Sequence, residues 1–321
     1  MHPKSMKTVR LLICNPGVAL FAALYLTGLA ILSQNKDFNL ADALVELVII
    51  GLVFPLLAWI ATRRAVPLAI PTRSSGSEML VLVAIVIALS IYLIGGPQWI
   101  DGLLPARWSV SPRIHFFVNL AKKLAVFVAV PWLIFRSLFG YRWASYGVSL
   151  SALRALGRGH GLAVLVLSGA LILFQYFLGG AVAPVRAGKF PAHELLPALP
   201  VCFVWLAIEA GLVEEFFFRA LVQSRLSAFF RSEITAVALM SLTFGLAHAP
   251  GFIFRHGGEV EGLGANPSTL TALAYSVVVL APSGILFGVI WARTRNLFAA
   301  IAVHAAGDLL PNLPAFIELW R

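Results

Sequence analysis

Residues 205–226 read WLAIEAGLVEEFFFRALVQSRL, an apolar run that also holds two adjacent carboxylates and an arginine. These are Glu214, Glu215 and Arg219. A charged side chain at the centre of a bilayer costs at least ~2.5–3.5 kcal/mol even on lenient insertion scales. Because ionisable residues inside membranes mark functional sites by default, a segment that keeps three of them together is expected to use them.

The whole chain has the composition of a polytopic membrane protein. Of its 321 residues, 60% are hydrophobic and 12% charged, whereas soluble domains have about 25% charged residues. The net charge of +10 does not indicate nucleic-acid binding, because Lys and Arg lie in short segments between apolar runs. Cys14 and Cys202 both lie in apolar segments, which argues against a disulfide framework or a cysteine metal site. The partner expected from composition is the lipid bilayer.

The apolar runs predict an all-α transmembrane bundle of about eight to ten spans. The first run follows basic residues, as in a signal peptide, but continues to Leu32 without a small-residue cleavage site and is interpreted as a retained helix. Lys122 and Lys123 lie within the fourth run and could snorkel or face the bundle interior. The last run could extend past Pro311 and Pro314. The runs are 11–33, 41–62, 78–96, 114–139, 161–180, 197–218, 234–248, 269–291 and 297–310.

The positive residues predict the orientation. The segments on one side of the membrane hold 15 Lys and Arg residues and those on the other side hold 7, while Lys122 and Lys123 lie within a span. The N-terminus belongs to the more basic side and is therefore predicted to be cytoplasmic. We expect an integral protein of a bacterial inner membrane.

Residues 1–160 would form N-terminal helices with basic loops, and residues 161–321 the functional core. Segment 141–160 is predicted to lie on the membrane surface, and 249–268 to be a lid or a solvated connector.

Helical spacing separates the two carboxylates. Glu215 and Arg219 are four residues apart and share a helix face, so they can neutralise one another. Glu214 lies about 100° away around the helix, with Ala210 and Phe218 as its neighbours on that face. Spacing within the helix therefore leaves Glu214 without a cationic partner and makes it the candidate base.

Two later runs carry polar side chains at a similar depth. Phe244 precedes His248 by one turn, and His304 and Asp308 are four apart on one face. At about 1.5 Å per residue, Glu214 counted from Arg225, His248 counted from Ile234, and His304 and Asp308 counted from Asn296 lie about 12–21 Å deep and could meet in one water-accessible cavity. The simpler interpretation is that each histidine only hydrogen-bonds a neighbour, and Glu209 is interpreted as structural.

A carboxylate and a histidine beside water suit general-base hydrolysis, and a second histidine with a polar neighbour can stabilise an oxyanion. The same groups could hold zinc, with Glu214, His248 and His304 as ligands. No H-E-x-x-H motif and no compact ligand spacing are present, so no cofactor is predicted.

Three motifs together resemble one family. Glu214-Glu215-x-x-x-Arg219, Phe244-x-x-x-His248 and His304-x-x-x-Asp308, in this order, are similar to the motifs of the CPBP family of CAAX proteases and bacteriocin-processing enzymes, which includes the type II CAAX prenyl endopeptidases. The similarity runs from about residue 197 to 310.

The resemblance implies a glutamate-type intramembrane peptidase. Glu214 would activate water with His248 as its partner, His304 and Asp308 would form the oxyanion side, and Glu215 and Arg219 would support the helix. The family often has Asn where this chain has Asp308. An ionised Asp cannot donate a hydrogen bond to an oxyanion, so it would have to be protonated or orient His304.

We therefore expect an endopeptidase that cleaves a membrane-associated protein or peptide. In a bacterium, tail processing, anchor sorting or maturation of a small secreted peptide fits better than a prenylated substrate. The alternatives are a non-catalytic immunity or scaffold protein of the same fold and a proton-coupled transporter. The transporter is disfavoured because no internal repeat is visible.

Overall fold

The structure, a computed structural model, describes residues 14–71, 75–103, 105, 111–254, 262–264 and 266–321. Within these residues each predicted apolar run forms a long helix. All of these helices except α1, which has 17 residues, are long and apolar enough to cross a membrane. The chain is an integral membrane protein with a polytopic helical bundle, as predicted. The long helices are α1 Pro16–Leu32, α2 Leu40–Ala61, α3 Gly76–Leu103, α4 Pro112–Phe139, α5 Gly161–Leu178, α6 Ala192–Phe230, α7 Glu233–Ile253, α8 Thr269–Thr294 and α9 Leu297–Trp320.

Local sequence determines where these helices begin and end. The Asn15 side chain accepts hydrogen bonds from the backbone N–H groups of Gly17 and Val18 before α1, as an N-cap asparagine does. Gly140 ends α4 in the left-handed conformation, at φ 73°, which glycine adopts without steric cost. Proline does not end α9: the helix continues through Pro311 and Pro314, which confirms the predicted extension.

The described residues form two compact units. The first contains the described parts of Met1–Leu57, Thr72–Gly96 and Leu221–Ala292, and its core includes Phe21, Tyr25, Leu242 and Val278. The second contains those of Ala58–Pro71, Pro97–Ala220 and Arg293–Arg321, and its core includes Cys202, Leu206, Ala305 and Leu309. The second unit therefore holds the acidic pair of α6 together with His304 and Asp308 of α9. The functional division at residue 160 stays a prediction.

The two mid-span lysines of α4 are paired within the second unit. Lys122 Nζ lies 2.7 Å from Asp101 Oδ1 on α3, and Lys123 forms an ion pair with Glu209 on α6. Of the two predicted alternatives, the structure shows the lysines turned toward neighbouring helices. Glu209 has a structural partner, in keeping with its interpretation as a structural group.

Arg225, one of the 15 basic residues counted on the cytoplasmic side, is buried inside a helix. Arg225 was counted with a loop, but α6 continues to Phe230 and buries Arg225, whose Nε lies 3.9 Å from Glu78 Oε2. The distance of about 16 Å for Glu214 was counted from Arg225, which is not the end of this helix. From Phe230 it is about 24 Å along the axis. The orientation itself stays a prediction.

Some predictions fall partly outside the described residues. These include the basic N-terminus (Lys4, Lys7, Arg10) and residues 255–261 and 265 of the suggested lid. In the predicted surface segment 141–160, the structure has short helices at Trp143–Tyr146, Leu150–Ala155 and Leu156–His160. Its contact with lipid stays a prediction.

Asn296 fixes the start of α9, the helix that carries His304 and Asp308. Its buried side-chain oxygen accepts hydrogen bonds from the backbone N–H groups of Phe298 and Ala299. Its amide nitrogen donates to Ala152 O at 2.8 Å and lies 3.1 Å from His160 Nδ1. Burial lowers the pKa of His160, which favours the neutral ring that accepts this bond at Nδ1.

We expect Asn296→Ala to destabilise the protein strongly. Loss of an N-cap costs ~0.5–2 kcal/mol, and leaving buried donors and acceptors without partners adds ~1–3 kcal/mol. The matched control is Asn39→Ala, which removes the exposed cap of α2 and a single bond to Ala41 N. Thermal unfolding in detergent measures the difference, and equal losses in the two variants would contradict the role given to Asn296.

Candidate active site

The site begins with an unusual stretch of α6. Ala207–Leu212 and Glu215–Gln223 are wound as π-helix on either side of Glu214, and π-helical turns occur frequently at functional sites. Gly211 allows α6 to approach α9 closely, because a Cβ atom at this position would lie 3.0 Å from Ile301 O. Small residues of this kind let membrane helices pack backbone to backbone. The contact lies one turn before Glu214 on α6 and one turn before His304 on α9.

His304 is the centre of the resulting cluster. Its Nδ1 lies 2.7 Å from Glu215 Oε1, and its Nε2 lies 3.3 Å from Asp308 Oδ2 and 3.7 Å from Glu214 Oε2. Both ring nitrogens of one buried imidazole therefore face carboxylate oxygens. The second unit thus brings together Glu214, Glu215, His304 and Asp308.

Glu215 and Arg219 form the pair that their spacing predicted. Arg219 Nε lies 3.3 Å from Glu215 Oε2, and neither side chain has exposed surface. Their predicted role as helix support is incomplete, however, because the other oxygen of Glu215 contacts His304. An ionised carboxylate can only accept a hydrogen bond, so this contact places the proton on His304 Nδ1 and turns Nε2 toward Glu214 and Asp308.

The prediction that Glu214 lacks a cationic partner was wrong. It holds within α6, but His304 arrives from α9 and brings Nε2 to within 3.7 Å of the Glu214 carboxylate. Spacing along a single helix cannot show a partner on another helix. Exposure still separates Glu214 from Glu215: the Glu214 side chain is 19% exposed, whereas that of Glu215 is fully buried. The Asp308 side chain is 39% exposed.

His248 lies on α7 in the first unit. Its Nδ1 is 2.8 Å from Phe244 O, and the Phe244 and His248 rings lie 4.9 Å apart. Because a carbonyl oxygen can only accept, Nδ1 carries the proton and a neutral ring presents Nε2 as its acceptor. The backbone carbonyl of Phe244, one helical turn before His248, thus orients the His248 ring. The partnership of His248 with Glu214 stays a prediction.

Residue spacing along the helices did not predict the bond between Glu215 and His304. One signal was present in Gly211, because a glycine one turn before an acidic pair in an apolar helix indicates close contact with another helix. That signal does not say which helix approaches. The partner became visible only when α9 was placed beside α6.

Among the residues that the structure describes, no three His, Cys, Asp or Glu side chains form a group with metal-binding spacing. The zinc ligand set considered from the sequence, Glu214, His248 and His304, therefore gains no geometric support.

The fold and the cluster together define an integral helical membrane protein with a buried acid–histidine site between two of its helices. Residues 196–310 match the family model described as "Type II CAAX prenyl endopeptidase Rce1-like". The match covers all three motifs and confirms the resemblance to the CAAX protease family. No curated protein and no solved structure matches the chain.

Proposed function

We propose that the protein is an intramembrane endopeptidase that hydrolyses a peptide bond in or next to the membrane with water activated by Glu214 and His248. The observation that carries this proposal is the partly exposed Glu214 carboxylate beside His304 Nε2, next to a Glu215 side chain that is fully buried. The family match to CAAX-type endopeptidases supports the reaction class. A partly exposed acid can reach both water and substrate, which Glu215 cannot.

In this mechanism Glu214, assisted by His248, removes a proton from water as the water attacks the peptide carbonyl, and it returns that proton to the amine nitrogen as the C–N bond breaks. His304 stands on the opposite side as the oxyanion donor. A doubly protonated imidazole donates through both nitrogens, so Nδ1 can stay on Glu215 while Nε2 donates to the oxyanion. Removing one such donor typically costs ~10²–10³ in kcat. Glu215 and Arg219 hold this ring without touching the substrate.

Asp308 accepts from His304 Nε2 at 3.3 Å and so competes with an oxyanion for that donor. We expect Asp308→Asn to retain or raise activity, because an amide can donate to the oxyanion as well as accept. Asp308→Ala should lower activity although it removes this competitor, because Asp308 also orients the His304 ring. Cleavage rates of the two variants in the same membranes test this, and a complete loss in Asp308→Asn would show that the carboxylate itself is required.

Metal independence is the expected outcome of a chelator experiment. The proposed steps use only side-chain acids and bases, so EDTA should leave cleavage by the purified enzyme unchanged. A loss of activity that added Zn²⁺ restores would instead support the ligand set Glu214, His248 and His304. Binding of Zn²⁺ by the protein measured without turnover gives a second readout.

The substrate in this proposal is a membrane-associated protein or peptide, and the location is a bacterial inner membrane with a cytoplasmic N-terminus. Comparative mass spectrometry of membrane-protein termini, with and without Glu214→Gln, tests activity and identifies the substrate together. Termini present only with the wild-type protein support the proposal. Reporter fusions at the two ends of the chain test the orientation.

A further inference from the structure

Away from the acid–histidine cluster, the second unit has an apolar groove of about 640 Å³. It lies along the first half of α6 and beside the first turns of α4 and the last turns of α9. Its walls carry aromatic and branched side chains that the proposed hydrolysis does not use, several of them more than half exposed. They include Phe117, Val201, Val204, Trp205, Phe316 and Trp320.

The mouth of this groove lies at helix ends. Helix α4 begins at Pro112, α6 begins at Ala192 and α9 ends at Trp320. Because a transmembrane helix of about 20 residues matches the hydrocarbon core, helix ends lie near the lipid headgroups. Tryptophans such as Trp205 and Trp320 are enriched at this level. The groove therefore runs from headgroup depth into the apolar layer.

A cation lies beside the Trp320 wall of the groove. Arg321, which lines the groove, is paired with Glu194 at 2.5 Å, whereas Arg113 lies next to Trp320. The Arg113 guanidinium carbon lies 5.5 Å from the centre of the Trp320 ring, and its Nε donates to Leu319 O at 3.1 Å. Arg113 has no carboxylate partner among the described residues. Its two terminal NH₂ groups remain available as donors to a ligand.

We propose that this groove binds an anionic phospholipid, with one acyl chain along α6 and the phosphate on Arg113. Arginine binds phosphate through paired, charge-assisted hydrogen bonds. The apolar wall takes the chain, and the Arg113 guanidinium binds the negative headgroup. This proposal goes beyond the proposed hydrolysis and does not depend on it.

Bound lipid would link the two helices that carry the candidate site. Val204 and Trp205 lie on α6, as does Glu214, while Phe316 and Trp320 lie on α9 with Asp308. A ligand that binds only the folded state raises its stability by mass action. Anionic lipid should therefore raise the thermal midpoint of the purified protein more than a zwitterionic lipid does.

Native mass spectrometry of the full chain in detergent tests the proposal, with phosphatidylglycerol and phosphatidylcholine as probes. We expect Arg113→Gln to weaken phosphatidylglycerol binding about tenfold, or ~1.4 kcal/mol, and Val204→Trp to weaken both lipids by filling the groove. Val204 is 57% exposed, so the larger side chain does not have to enter the core. The matched control is Arg136→Gln, because Arg136 makes a similar contact with Trp132 at the other end of α4.

Equal lipid binding by wild type and Arg113→Gln would overturn the headgroup assignment, even if Val204→Trp did not fold. Equal binding by a folded Val204→Trp would overturn the acyl-chain assignment. If a synthetic apolar peptide occupies the groove and phosphatidylglycerol does not displace it, the groove is a peptide site and the lipid proposal fails.

Discussion

Cells that produce Glu214→Gln in place of the wild-type protein should lack the cleaved membrane-protein termini that the wild type generates. The amide keeps the size of the side chain but cannot take a proton from water. General-base catalysis contributes typically ~10²–10⁴-fold, so we expect the abundance of these termini to fall at least ~100-fold. Because the Glu214 side chain is partly exposed, whereas Glu215 is fully buried, the variant should insert and accumulate normally.

The control for this experiment has to remove an acid without touching the cluster. Glu215→Gln does not qualify, because Glu215 contacts His304 directly. Glu318→Gln does, since Glu318 is half exposed and pairs with the exposed Lys189, and surface ion pairs contribute little to stability. Wild-type termini in Glu214→Gln would contradict the protease proposal and favour a scaffold or immunity role for the same fold.

The sequence predicted the helices well, because hydrophobic runs and their breaks are local properties. All nine runs became helices, and even Lys122 and Lys123 did not interrupt α4. The extents of the helices were less predictable. Helix α6 begins at Ala192 although Pro197 and Pro200 lie inside it, and it continues to Phe230, with Arg225 paired to the buried Glu78.

Contacts within one helix of the candidate site were also predictable from the sequence. The spacing of four residues gave the pairs Glu215–Arg219 and His304–Asp308, and the structure confirms both. The contacts of His304 with Glu214 and Glu215 cross between helices, and no local pattern specifies which faces meet. Such contacts depend on packing details such as the absence of a side chain at Gly211.

Arg219→Met should be among the most destabilising substitutions in the chain. Arg219 and Glu215 have no exposed surface, and removing one partner of a buried ion pair typically costs ~3–5 kcal/mol. In this variant the buried Glu215 carboxylate would keep its contact with His304 but lose its arginine. We expect a large fall in thermal midpoint and in accumulation. The matched control, Arg136→Met, removes an exposed arginine of α4 and should change little.

The double variant Glu215→Gln with Arg219→Met separates stability from activity. Replacing both charges of a buried pair by neutral groups is often nearly neutral, so the double variant should recover much of the stability that Arg219→Met loses. Its glutamine oxygen can still accept from His304 Nδ1, but it no longer supplies the negative charge beside the ring. Cleavage should therefore stay well below wild type even where the thermal midpoint recovers. Additive losses in thermal stability would contradict the direct coupling of the two side chains, and full recovery of cleavage would show that Glu215 serves only the fold.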